Sequence, residues 1–326
     1  MGLYILILAQ MSPSKELTLK LFRQMLLIRR FEEKICEIYH TDVVKSPVHL
    51  SIGQEAVAVG VCEALKATDF VSNTYRCHAT HIAKGGDLNK MMAELYGKVD
   101  GCAGGKAGSM HLVEIEKGIL GASAVVATTI PIAAGWALAL KKDGKGHVIV
   151  SFFGDGSTEE GVFSETINFA KIMNLPVLFI CENNRLAIHN PLERRWAADN
   201  ICERVATYGI PTYRITSGDV YEIYAESQKA IEQVRSGNGP VFMEIETYRY
   251  KQHVGVAEDL HEDYRDLKEY ERWKANDQID RLAAEIGELE TARVEKEVKE
   301  LIEASVRFAE NSRFPDEREL FQNVYA

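Results

Sequence analysis

The stretch from His147 to Leu186 restricts the folds open to this chain more than any other. An apolar run, Val148 to Phe153, stops abruptly at Gly154-Asp155-Gly156. A helical pattern follows, with Val162, Phe163, Ile167, Phe169, Ala170 and Met173 recurring near the 3.6-residue period. Pro176 opens a second apolar run, Val177 to Cys181, which ends at Glu182-Asn183-Asn184. Strand, turn, helix and strand at these lengths make two parallel strands joined by a crossover. Parallel strands finish on one edge. Asp155 and Asn184 are therefore expected side by side at a carboxyl edge, where open α/β sheets bind ligands.

The residue types narrow the ligand. Asp155 offers a carboxylate, Asn184 an amide oxygen, and the chain beyond it a backbone carbonyl near Leu186. A few hard oxygen donors suit Mg²⁺, which takes its other ligands from water and phosphate. Gly154 and Gly156 let backbone approach closely, and a helix starting near Ser157 would aim free N–H groups at the same place. The unit reads as a clamp for a magnesium diphosphate. A lone Gly-Asp-Gly is usually just a turn. The signal sharpens because Asn-Asn follows after 26 intervening positions and a second apolar strand. In this the stretch resembles the thiamine-diphosphate-binding motif.

Strand and helix signals alternate onward to residue 250: a strand at 208–215, a helix at 220–235 and a strand from Val241 to Tyr250. The expected fold is α/β, a doubly wound, mostly parallel sheet flanked by helices, with helical N- and C-terminal extensions. Residues 14–275 form the α/β domain in this division. Residues 1–13 are an uncertain leader, and 276–326 a helical extension with a docking tail, the latter because the end from Phe314 is apolar. The apolar start, MGLYILILAQ, is too short to span a bilayer and lacks the basic flank of a signal peptide. A net charge of −10 over 326 residues argues against nucleic-acid or membrane-surface binding through a basic patch. Six scattered cysteines without a CxxC pair argue against a disulfide framework or zinc site, and for the cytoplasm.

Three segments before the clamp carry further chemistry. Val48-His49-Leu50 precedes a glycine turn and a helix ending near Leu65. Residues 72–81 pack Tyr75, Arg76, His78 and His81 into ten positions, either a phosphate-binding and proton-shuttling segment or a polar surface loop. Residues 97–111, GKVDGCAGGKAGSMH, fail the Walker pattern because Ala107 follows Gly105-Lys106. A flexible loop closing over a ligand is the expectation there.

Taken together, these segments resemble, from about residue 15 to the end, the α subunit of the thiamine-dependent decarboxylating component of 2-oxo acid dehydrogenase complexes, the pyruvate and acetoin type. His49-Leu50-Ser51-Ile52-Gly53-Gln54-Glu55, Tyr75-Arg76-Cys77-His78 and Gly108-Ser109-Met110-His111 are similar to three of that family's segments. The resemblance implies Mg²⁺ ligands at Asp155, Asn184 and the Leu186 carbonyl. It implies cofactor contacts at Tyr75, Arg76, Ala124, Val126, Gly154, Gly156, Ser157 and His253, with Val126 as the apolar wedge under the cofactor. His49, His78, His111 and His253 become candidates for substrate binding and proton transfer. The implied chemistry is decarboxylation of a 2-oxo acid, or cleavage of an acetoin-like substrate, with acyl transfer to a lipoyl acyltransferase. The carboxylate that activates the cofactor resides in the family's β subunit, so an obligate β partner in an α₂β₂ heterotetramer is expected.

Departures from the family pattern leave the substrate open. Val254 stands where mitochondrial members carry a phosphorylated serine, so phosphorylation there is not expected. Leu186-Ala187-Ile188-His189 replaces the usual aromatic-led segment, and the acidic stretch GVAEDLHEDYR is longer than usual. A thiamine-dependent carboligase or non-oxidative decarboxylase is one alternative. A catalytically silent subunit that binds the cofactor for stability is the other.

Overall fold

The computed structural model describes residues 13–322; the apolar leader and the last four residues lie outside the described residues. Its centre is a six-stranded sheet made of β1 (Phe70–Thr74), β2 (Ile119–Ser123), β3 (Ile149–Gly154), β4 (Val177–Asn183), β7 (Thr212–Ile215) and β8 (Val241–Glu246). A separate two-residue hairpin pairs β5 (Leu186–Ala187) with β6 (Asn190–Pro191). The sheet order is β2-β1-β3-β4-β8-β7, parallel throughout. This is the expected α/β architecture, with helices on both faces.

Burial on both faces explains the unbroken apolar strands. Every residue of β4 is buried. On one face Phe153 and Phe179 meet Ile130 and Ala134 of helix Thr129–Asp143, and Phe163 and Ile167 of helix Gly161–Ile172. On the other, Phe152, Ile180 and Met243 meet Val57 and Val61 of helix Glu55–Glu63, and Ile223 and Val234 of helix Val220–Arg235. A further core joins the N-terminal helix Lys15–Ile38 to helices Leu88–Leu95, Gln278–Ile286 and Glu288–Asn311. A buried ion triad ties these parts together. Arg29 pairs with Glu55 and, at 3.1 Å, with Asp277.

Several expectations change. Strands β1 and β2 carry Ser72, Asn73, Gly121 and Ser123, so they lack the apolar signature of a buried strand. Residues 72–74 are therefore sheet, not surface loop, and Ser72 and Asn73 are buried. The helix after Asp155 begins at Gly161; a 3₁₀ turn, Asp155–Glu159, comes first, and extended Glu160 (ψ 136°) separates the two. Strand β8 stops at Glu246 because the chain leaves the sheet, and Tyr250 N–H donates to Ile52 O instead (2.9 Å).

The glycine-rich loop is not an open ligand loop. Buried Glu94 fills it: Oε2 accepts from the N–H groups of Ala103 and Gly105, and Oε1 from those of Ala107 and Gly108, at 2.7–3.1 Å. Backbone donors poised for an anion are thereby spent on an internal carboxylate. Gly101 makes room for it, since a Cβ there would stand 2.4 Å from Glu94 Oε2. Just before the tail the Arg313 carbonyl accepts from Val99 N–H (3.0 Å), and Lys98 sits over the Phe314 ring; Phe314, Leu320 and Phe321 themselves stay exposed. Among the described residues no helix is long and apolar enough to cross a membrane.

Candidate active site

The chain direction in a parallel sheet delivers the ends of β1, β2, β3, β4 and β8 to one edge. From β1 the chain continues to β2 on one side, whereas β3 leads to β4 on the other, so the strand order reverses between β1 and β3. A crevice opens at such a reversal, and a cavity of ≈ 250 Å³ lies there.

Each strand end contributes to its wall. Tyr75 and Arg76 follow β1; Val126 follows β2; Gly154, Asp155, Gly156 and Ser157 close β3; Asn184 and Leu186 follow β4; His253 arrives from the segment after β8. The pairing of Gly154 with Glu182 in the β3–β4 register sets Asp155 beside the Asn183-Asn184 turn. Asn184 Nδ2 donates to Gln54 Oε1 (3.0 Å), which orients the amide, and its Oδ1 accepts from Leu186 N–H (3.1 Å). Arg185 between them is left-handed (φ 63°), as are Ala127 beside Val126 and Ile188 beyond Leu186 (φ 56°). A β-branched residue rarely adopts that conformation. Such costs, of order 1–3 kcal/mol each, persist where surrounding structure enforces them, and they concentrate at functional sites.

Other histidines take different places. His49 is buried behind the wall, its ring 4.4 Å from Tyr75 and 5.1 Å from His253. His78 does not line the cavity: it is buried, with Nε2 2.7 Å from Ser109 Oγ and Nδ1 3.2 Å from Glu32 Oε1. There it anchors the Ser109–His111 turn. His111 is exposed, its Nδ1 3.3 Å from Ala122 O, and neither it nor half-buried Ala124 is part of the wall.

Charge around the cavity follows from burial. Arg76 is buried and donates to Leu50 O (2.6 Å) and His253 O (3.2 Å). Burial, helped by the Arg76 charge, holds both His49 and His253 down at about 3, so both are neutral at neutral pH. Burial pushes Glu182 up to about 7 against the pull of Arg76. Sequence reasoning passed over Gln54, Glu182 and Arg195. Glu182 adjoins Asn-Asn and Gln54 sits in the first resembling segment, so both had a signal; Arg195 had none. Its guanidinium pairs with Asp155 and Glu159.

The donor set suits magnesium. One carboxylate, one amide oxygen and one peptide carbonyl fit a hard cation that completes its shell from phosphate and water. Among the described residues no group of three or more His, Cys, Asp or Glu side chains is placed to hold a metal ion by itself. A guanidinium on Asp155 marks the position as one that favours positive charge. Gly156 keeps the cradle open; a Cβ there would meet Ala187 Cβ at 2.9 Å.

The chain is similar to known proteins over most of its length. The family described as the dehydrogenase E1 component matches residues 23–317. The α subunit of acetoin:2,6-dichlorophenolindophenol oxidoreductase from Bacillus subtilis is 39% identical over 320 residues, 97% of this chain and 95% of that protein. The pyruvate dehydrogenase E1 component α subunit from Rhizobium meliloti is 37% identical over 318 residues, 95% of this chain and 90% of that protein. Among solved structures, transketolase from Campylobacter jejuni shares the fold at a TM-score of 0.57 and 16% identity. That match covers 95% of this chain and 50% of the transketolase, so this chain spans about half its length.

Proposed function

This chain belongs to the dehydrogenase E1 component family, and from that premise we propose that it is the α subunit of a thiamine-diphosphate-dependent 2-oxo acid dehydrogenase. Its substrate is a pyruvate-like 2-oxo acid or an acetoin-like compound, and the acyl product passes to a lipoyl acyltransferase. The observation that carries this reading is the meeting of Asp155 and Asn184 with Arg76 and His253 in one cavity at the strand-order reversal.

Thiamine diphosphate supplies a carbon nucleophile and an electron sink for cleavage beside a carbonyl. The chain's own residues bind and orient. Asp155, Asn184 and the Leu186 carbonyl hold Mg²⁺. Arg76, with Gly154, Gly156 and Ser157, receives the diphosphate, and the Arg76 guanidinium supplies a fixed positive charge. Tyr75 and Val126 supply apolar surface to the rest of the cofactor, and left-handed Ala127 directly follows Val126. His253 in the wall and His49 behind it are neutral, so they act toward a substrate as hydrogen-bond donors and proton carriers rather than as fixed cations.

A β subunit completes the site by supplying the activating carboxylate, in an α₂β₂ assembly. Exposed Val125 (64%), just beyond β2 and next to Val126, and exposed Ile132 (56%) in the helix that follows suit coverage by another chain. Six unpaired cysteines suit a reducing cytoplasm. The test is co-expression with the β chain, followed by reduction of an artificial electron acceptor with pyruvate, other 2-oxo acids and acetoin. Turnover is expected only with both chains, thiamine diphosphate and Mg²⁺. Full turnover by this chain alone refutes the shared site.

A further inference from the structure

Asp155 is the one carboxylate in the proposed magnesium set, and Arg195 already sits on it. The Arg195 side chain is 4% exposed. Its Nη2 donates to Asp155 Oδ2, its Nη1 to Glu159 Oε1, and its Nε to Asn190 O at 3.0 Å. All three nitrogens are committed just behind the wall, next to Gly156, whose Cβ position would lie 3.9 Å from Nη1. Arg195 also ends the short helix that follows β6, and β6 pairs with the strand carrying Leu186. One side chain thus touches the metal carboxylate and braces the segment that bears the metal carbonyl.

The charge balance gives this contact a consequence. Four carboxylates line the cavity, and Arg195 already covers two of them, Asp155 and Glu159, leaving Glu160 and Glu182 opposite Arg76. A diphosphate arriving alone finds the Arg195 fork committed to carboxylates, and a metal ion arriving alone must displace a guanidinium from a buried carboxylate. Arriving together, the metal takes Asp155, and the freed guanidinium fork meets phosphate oxygens, which a planar guanidinium binds two at a time.

We propose that Arg195 is a positioning residue that neutralises Asp155 in the cofactor-free chain and passes to the diphosphate when the metal binds, making metal and diphosphate bind cooperatively. The proposal rests on the magnesium-diphosphate reading above. The test uses the full chain co-expressed with its β subunit and Mn²⁺ as a paramagnetic stand-in for Mg²⁺. Free Mn²⁺ is measured by electron paramagnetic resonance with and without thiamine diphosphate. R195Q is expected to bind Mn²⁺ alone about fivefold tighter or more than the wild type, and the enhancement by thiamine diphosphate shrinks by about the same factor, since coupling is reciprocal. R195K keeps the charge without the fork, falls between, and covers the case in which R195Q does not fold. A merely structural arginine would weaken metal binding or leave it alone, and either result in the folded variants overturns the proposal. D155N separates the two claims. If D155N binds Mn²⁺ and thiamine diphosphate as the wild type does, the clamp itself fails, and this proposal with it. If D155N loses binding while the Arg195 variants match the wild type, only the role of Arg195 fails.

Discussion

Replacing Glu94 by glutamine should unlock the glycine-rich loop. Glu94 is fully buried and accepts four backbone N–H bonds from residues 103–108. Glutamine keeps one acceptor oxygen, which can still serve two of these donors. Its NH₂ group turns toward the other two as a donor facing donors. Two part-buried N–H groups are then left without partners, at about 1–3 kcal/mol each, or roughly 4 kcal/mol together. If the loop opens locally, the amides of 103–108 should exchange about a thousandfold faster, since 1.4 kcal/mol is tenfold. Hydrogen exchange read by mass spectrometry on peptides covering 97–111 checks this, with peptides from β3 and β4 as the unchanged reference. Exchange at 103–108 within threefold or so of the wild type would refute the view that Glu94 holds this loop shut.

Three further outcomes are expected. Asp155→Ala should lose Mg²⁺-dependent binding of thiamine diphosphate by about 2–5 kcal/mol, beyond tenfold; equal calorimetric titrations for the two proteins would defeat the clamp. Arg29→Ala strands Glu55 and Asp277 as buried charges and should cost about 3–5 kcal/mol in chemical denaturation, whereas a loss below about 1 kcal/mol would show that the triad does not tie the N- and C-terminal helices to the sheet. His49 is held at about 3 against an ordinary 6.5, so the unfolded chain takes up the proton first as pH falls. Stability from this group is whole above pH 6.5 and declines below it by at most about 1.4 kcal/mol per pH unit, until about pH 3. Between about pH 7.5 and 5 the wild type should therefore lose about 2 kcal/mol more than His49→Gln, and parallel pH profiles for the two would contradict the assigned shift.

What was legible in the sequence was local. The 3.6-residue spacing from Val162 to Met173 and the two apolar runs around it read directly as strand, helix and strand, because burial on both faces imposes apolar residues at each position. Asp155 and Asn184 meet because parallel strands must end together, a consequence of chain direction alone. The interior strand β1 and the edge strand β2 escaped notice because their polar and small residues are offset by contacts elsewhere in the sheet, which periodicity does not record.

The sequence by itself therefore determined the parallel sheet and its ligand edge, and singled out the residues proposed here to clamp a magnesium diphosphate, since these follow from short-range spacing and strand polarity. Only the tertiary structure decided where the charged side chains spend themselves. Glu94 occupies the glycine-rich loop, His78 turns to Glu32 and Ser109, and Arg195 lies on Asp155. The physical reason is that a carboxylate, imidazole or guanidinium accepts any well-placed partner. Which one it meets depends on segments far apart in the chain, and packing alone brings them together.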